Sequence, residues 1–257
     1  MKNNVPFTGM PRNKWAIPPT PQLIRDAWML IMGYKADTNA LREVLPPGLK
    51  PHPNGLVQLN MYEVPDADQT SGFGSFGLSY LTIEIADHDS LAANGTISIP
   101  GRFFAHYFNS SSLMRTYVRE SMGVPALPGS LKREFNGNEL TSTMTVDGSP
   151  VIKATVDVGN EVVDKMGGHL NYYAHRQIPK PEGGSAAISE VIEFPLPFTA
   201  ETYDIKVKDI IFNFPESDPA SLLKPIEPLE TPSVMYGKFS FTYSMGRTII
   251  DYLEEDY

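Results

Sequence analysis

The sequence predicts a mainly β fold of the α+β class, a largely antiparallel curved sheet with a few short helices. Two observations carry this. Twenty-three prolines and twenty glycines cut the 257 residues into short segments, and several of those segments alternate apolar and polar residues with the period of two expected of a half-buried strand. Helix-start signals, by contrast, are few.

Taken in order, Asn39 can cap a short helix over Ala40–Leu45. The run from Gly55 to Tyr62 alternates and reads as a strand. Gly72 and Gly74 bracket Phe73, and no lysine or helix start follows to make a phosphate cradle; the pair predicts a tight turn at the rim of the sheet. Ser111 can cap a turn or two of helix in which Leu113, Met114, Tyr117 and Val118 share a face. Leu140–Val146 and Val151–Val158 flank Asp147-Gly148, a dipeptide that tolerates the positive φ angles of a tight hairpin. A third β region runs from Ser233 to Tyr243. With no internal repeat, low-complexity linker or charge block, one domain over 1–257 is expected, although length alone also allows two.

Composition narrows the function. The net charge of −9 comes from acids scattered along the chain, which argues for solubility and against a nucleic-acid footprint. The absence of cysteine excludes disulfides, thiolate metal sites and a cysteine nucleophile together. There is no apolar run of signal-peptide or membrane-span length, so a cytoplasmic location away from membranes is expected, and the sequons at Asn94 and Asn109 read as accidental. His169 and His175 lack the spacing of a known metal motif. No metal and no cofactor is expected, and no Ser/His/Asp order rises above chance.

Six blocks carry a resemblance: Tyr34 to Pro47, Leu56-Val57, Ser71 to Gly74, Arg119-Glu120 followed by Pro125, Gly137 to Leu140, and Thr248 to Leu253. Their order and spacing resemble the acetoacetate decarboxylase superfamily. The resemblance implies a sheet curled into a barrel-like cone, and its decarboxylases use a lysine that forms a Schiff base with a ketone, activated by a neighbouring lysine. Here the motif reads Pro125-Ala126-Leu127. Ala126 stands on the Schiff-base position and Leu127 on its partner. Carried back, the same resemblance puts Leu78 where a glutamate is usual and Asn60 where a second acid sits. The implied site is an apolar pocket with little charge, its substrate-binding residues being Asn60, Leu78, Met122, Ala126 and Leu127.

Four polar residues remain as catalytic candidates. Arg25 lies about two positions out of register with the family's substrate-binding arginine; a planar fork there suits a carboxylate or enolate, and the alternative is an ion pair with Asp26. Arg119 and Glu120 match the family motif. Glu120 is either a general acid or base or, with Arg119, part of a structural network at a helix end. His106 is either a proton shuttle or a core histidine. In alternation Asn171, Tyr173 and His175 share one face, inward or outward.

Three functions follow, in this order: an enzyme acting on a hydrophobic β-keto or polyketide-like carbonyl compound by acid–base chemistry and positioning, through dehydration, isomerisation or cyclisation; a decarboxylase or aldolase-like enzyme with a relocated lysine, Lys132 or Lys153; and a non-catalytic small-molecule carrier or sensor. A homo-oligomer is expected, since members of the family commonly assemble and β folds expose edges.

Overall fold

The computed structural model describes residues 21–254 except 93 and 215–218, with the backbone alone for 219–221. The elements are β1 (Gln22–Lys35), α1 (Thr38–Val44), β2 (Leu56–Val64), β3 (Phe76–Leu91), β4 (Ile97–Asn109), α2 (Ser112–Met122), β5 (Ala126–Pro128), β6 (Ser130–Asn136), β7 (Glu139–Val146), β8 (Ser149–Pro179), β9 (Ala186–Phe212), β10 (Ser233–Tyr243) and β11 (Arg247–Asp251). Short 3-10 segments lie at Ala67–Gln69 and Pro219–Ile226.

The expected hairpin forms: Val146 pairs with Ser149 across Asp147 and Gly148, both at positive φ. Gly72 and Gly74 are also at positive φ, and the turn they allow seats Phe73 against Tyr117 of α2 with ring centroids 5.0 Å apart. Ser111 caps α2, its Oγ accepting from the Met114 amide at 3.2 Å. That helix is longer than expected because Met114, Tyr117, Val118 and Met122 make a continuous buried stripe that rewards further turns. The cap of α1 falls two residues before Asn39. Asp37 Oδ1 accepts from the Asn39 and Ala40 amides at 2.9 and 3.0 Å, and a carboxylate suits the positive end of a helix.

Strands β1, β2, β3, β4, β8, β9 and β10 are joined pairwise, and β10 returns to β1, so seven strands form a closed ring. The described pairings are antiparallel except β4 with β8 and β4 with β5. β8 and β9 form one long ribbon from Ile152↔Phe212 to Pro179↔Ala186. β11 extends β9, while β7 and β6 extend β8 on the other edge.

Two buried clusters divide the two faces of this wall. One gathers Tyr62, Tyr80, Phe104, Tyr107, Tyr172 and Phe241 with their neighbours. It must be the interior, because side chains from strands that are not adjacent in the ring meet there: Tyr80 of β3 and Tyr172 of β8 at 6.0 Å, Tyr62 of β2 and Phe241 of β10 at 5.8 Å. The other cluster, with Leu30, Tyr34, Leu59, Ile83 and Phe108 among its members, lies outside. It is covered by α1 and the Pro219–Ile226 segment, to which the Tyr34 hydroxyl is tied through the Ile226 carbonyl at 3.1 Å.

Candidate active site

The interior is built by alternation. From β2 come Asn60, Tyr62 and Val64; from β3, Leu78, Tyr80, Thr82 and Glu84; from β8, Leu170, Tyr172 and Ala174. β4 needs one correction to its alternation. His106 pairs with Leu81 and Phe104 with Thr82, so Ala105 is an extra residue, a β-bulge that lets Phe104 and Tyr107 both face inward.

α2 covers one end of the ring. Its Gly123 stop, at φ 70°, lies so close to β8 that a Cβ would come within 2.6 Å of the Arg176 Cβ. The chain then returns as β5, which lies beside Tyr107–Asn109 of β4. This lodges Ala126 in the interior cluster next to Tyr107. A cleft of about 300 Å³ opens at the surface here and reaches Tyr117, Met122, Ile192 and Phe194 of the interior.

Five phenols meet inside. Tyr80 and Tyr172 share a hydrogen bond of 3.0 Å, Tyr62 bonds Tyr243, and the Tyr107 oxygen accepts from Asn109 Nδ2 at 3.2 Å. Burial pushes all five above the ordinary phenol value, because the ionised form would lose its hydration. They are therefore neutral hydroxyls at physiological pH, able to donate to an oxygen that gains charge. Asn60 is buried on the same face, opposite Tyr80.

At the far end from α2 lies the interior's ion pair. Arg102 Nη2 bonds Glu84 Oε1 at 2.9 Å, and Glu84 Oε2 accepts from Asn54 Nδ2 at 2.7 Å. Arg102 is the strand neighbour of Tyr172.

The sequence-derived candidates divide cleanly. Asn60, Leu78, Met122 and Ala126 all face the interior, while Leu127 packs against the outer cluster. None of the four catalytic candidates has its side chain in the interior cluster. Arg25 is exposed and its Nη2 binds the Asp68 carbonyl at 2.6 Å. A bulge in β1 between Ile24 and Ala27, with Asp26 at positive φ, turns it outward and gives the interior Ala27 instead. The bulge in β4 puts His106 on the outer face, where burial lowers its pKa to about 4 against the pull of a hydrogen bond with the Leu222 backbone. It stays neutral and away from the phenols. Arg119 is exposed and Glu120 half-buried in the last turn of α2, and among the described residues neither side chain makes an ion pair. The Glu120 carbonyl accepts from Arg176 Nε at 3.0 Å.

Lys132 is exposed and pairs with Glu134 at 2.8 Å, and Lys153 is exposed on β8. No described lysine is buried. Asn171, Tyr173 and His175 do share a face, the outer one, where Asn171 and Tyr173 donate to Glu193 at 2.8 and 2.7 Å.

The tyrosines were missed although a signal existed. Counting by two from Asn60 and Leu78, which the resemblance had already brought to the site, gives Tyr62 and Tyr80.

Comparison with known proteins fits this architecture. The family model for acetoacetate decarboxylase matches residues 4–253. The chain belongs to the acetoacetate decarboxylase family. No curated protein sequence matches it. Among solved structures, an acetoacetate decarboxylase superposes with a TM-score of 0.73 at 20% identity, covering 95% of this chain and 96% of that one. The acetoacetate decarboxylase of Legionella pneumophila subsp. pneumophila str. Philadelphia 1 gives 0.73 at 18% identity, with 96% and 94% covered. The enduracididine biosynthesis enzyme MppR, complexed with pyruvate, gives 0.64 at 14% identity, with 93% and 94% covered. At these identities the likeness is one of fold.

Among the described residues no helix is long and apolar enough to cross a membrane, and no group of three or more acidic, histidine or cysteine side chains is placed to hold a metal.

Proposed function

We propose that this member of the acetoacetate decarboxylase family is an enzyme that acts on a hydrophobic β-keto or polyketide-like carbonyl compound without a lysine imine. Dehydration, isomerisation and cyclisation are the reaction classes that suit it. The observation that carries the reading is the make-up of the site: Ala126, which the family resemblance sets at the lysine position, lies in the interior, and the wall around it presents neutral phenols.

An imine accelerates reactions at a ketone by accepting an electron pair. A buried hydroxyl serves a related end differently, by donating a hydrogen bond to the carbonyl oxygen as it becomes enolate-like. The Tyr80–Tyr172 pair is equipped for this, since one hydroxyl orients the other. Apolar neighbours strengthen such bonds by lowering the local dielectric. That MppR binds pyruvate on the same fold supports a carbonyl substrate.

Two measurements test the reading together. Incubation with acetoacetate or a larger ketone, then borohydride, is expected to leave no adduct on the protein; a stoichiometric mass increase on any lysine overturns the imine-free mechanism. Against a panel of short keto acids and larger cyclic ketones, Tyr80→Phe is expected to lose at least about a hundredfold in turnover, the low end for a proton-transfer group, with little change in melting. A panel that binds but is never converted favours a carrier.

A further inference from the structure

Two residues of the inner wall, Arg102 and Asn60, hold buried N–H donors without a partner. Arg102 is only 8% exposed, and Glu84 occupies just one of its nitrogens; Nε and Nη1 are buried without a hydrogen-bond partner. Asn60, 2% exposed on the same inner face, leaves its Nδ2 without a partner too. A buried guanidinium with open N–H groups is costly unless an acceptor completes it. Glu84 does not complete it, because its second oxygen is taken by Asn54.

The direction of the arginine follows from its neighbours. A Cβ at Gly101 would strike the Tyr173 ring, on the outer side, so Arg102 faces the opposite way, beside Tyr172 and below Phe104 on the inner face of β4. From the α2 end to the Arg102 end, the inner wall runs from apolar and phenolic side chains to a cation with free donors.

We propose that Arg102 binds an anionic oxygen of the ligand, a carboxylate or enolate, at the end of the ring remote from α2, with Asn60 supplying a further donor along the ligand. The ligand class is thus an amphiphile: an apolar or aromatic body lying against the phenols and one negative oxygen at its tip. This rests on the reading that the interior is the ligand site. An arginine is suited to the task because it stays charged when buried and directs several donors in one plane.

Phenylpyruvate and its neutral methyl ester are the probes, compared by calorimetry. Wild type is expected to bind the anion at least about tenfold more tightly than the ester, a difference of the size one charge-assisted hydrogen bond supplies. Removing the ion pair as a unit, with Arg102→Met and Glu84→Gln combined, avoids stranding a buried carboxylate. In that variant the preference is expected to vanish while ester binding persists. Glu84→Gln alone is expected to tighten anion binding, which a purely structural arginine would not do. Equal affinities in wild type, a preference that survives the double variant, or no binding of the anion each overturns the assignment. Ala126→Met, which fills the α2 end, separates the two levels. If it weakens both probes, the interior is the site and the Arg102 result stands by itself. If both bind undiminished, the ligand lies elsewhere, and the interior reading falls together with this assignment.

Discussion

The two faces of β8 carry similar chemical groups in opposite states. On the outer face, Asn171 and Tyr173 donate to the Glu193 carboxylate, Arg247 donates to its other oxygen, and His169 Nε2 bonds Asn171 Oδ1 at 3.0 Å. A cleft of about 670 Å³ opens over this cluster, yet each of those groups has a partner. On the inner face, the neighbour of Tyr172 is an arginine with two nitrogens unmatched. Buried polar atoms in native proteins are nearly all paired, so a concentration of open donors asks for an explanation that a closed network does not. The outer cluster is framework that ties β8 to β9 and β11; the inner one is a surface still short of its acceptor.

The largest effect that tests this contrast is expected from Glu193→Ala. It leaves the buried Tyr173 hydroxyl and Asn171 amide without an acceptor, at about 1–3 kcal/mol each. Chemical denaturation is expected to show this loss, with ligand affinity in the interior unchanged. If binding fell while stability held, the roles of the two faces would be reversed.

His106, buried on the outer side with its Nε2 unpartnered, gives a smaller test. Its pKa is lowered from 6.5 to about 4 by burial. The sign follows directly: as pH falls below 6.5 the unfolded chain takes up a proton that the folded chain refuses, so stability is lost progressively down to about 4, where the folded form also protonates. His106→Phe is expected to flatten that part of the stability–pH curve and to leave turnover intact. A lost turnover with an unchanged curve would return the histidine to the catalytic list.

The smallest effect is expected at Arg247. Although it bonds Glu193, its side chain is 76% exposed, and an exposed ion pair adds less than about 1 kcal/mol. Arg247→Ala is expected to shift the melting temperature little, and the shift is expected to shrink further in high salt. A large loss would mean that the carboxylate depends on the cation more than on its two buried neutral donors.

Much of the framework was legible because it is local. Alternation marked β2 and β7, Asp147-Gly148 marked the hairpin turn that joins β7 to β8, and Ser111 marked the start of α2. The resemblance brought Asn60, Leu78 and Ala126 to one site. What stayed hidden depends on single residues and on closure of the ring. One extra residue at Ala105 decides whether His106 or Tyr107 points inward, and the bulge before Ala27 does the same for Arg25; a period of two cannot reveal an insertion that breaks it. The length of β8 and β9 was hidden because half of that ribbon is exposed and rich in charge and glycine. The five phenols come from five strands, and those of β8 and β10 reach the other three only through pairings between segments far apart in the chain.

That ring is not equally strong around its circumference. Between β4 and β8 the ladder consists of two residue pairs, Arg102↔Tyr172 and Phe103↔Tyr173. Beyond them, the amides of Asn171 and His169 are held by the hydroxyls of Ser90 and Ser98, at 2.7 and 3.0 Å. Two serine rotamers therefore do what main-chain carbonyls do elsewhere in the wall. Deuterium taken up under native conditions should enter the amides of 169 and 171 well before those of β2 or β10, because opening there requires only a side-chain turn and no parting of strands.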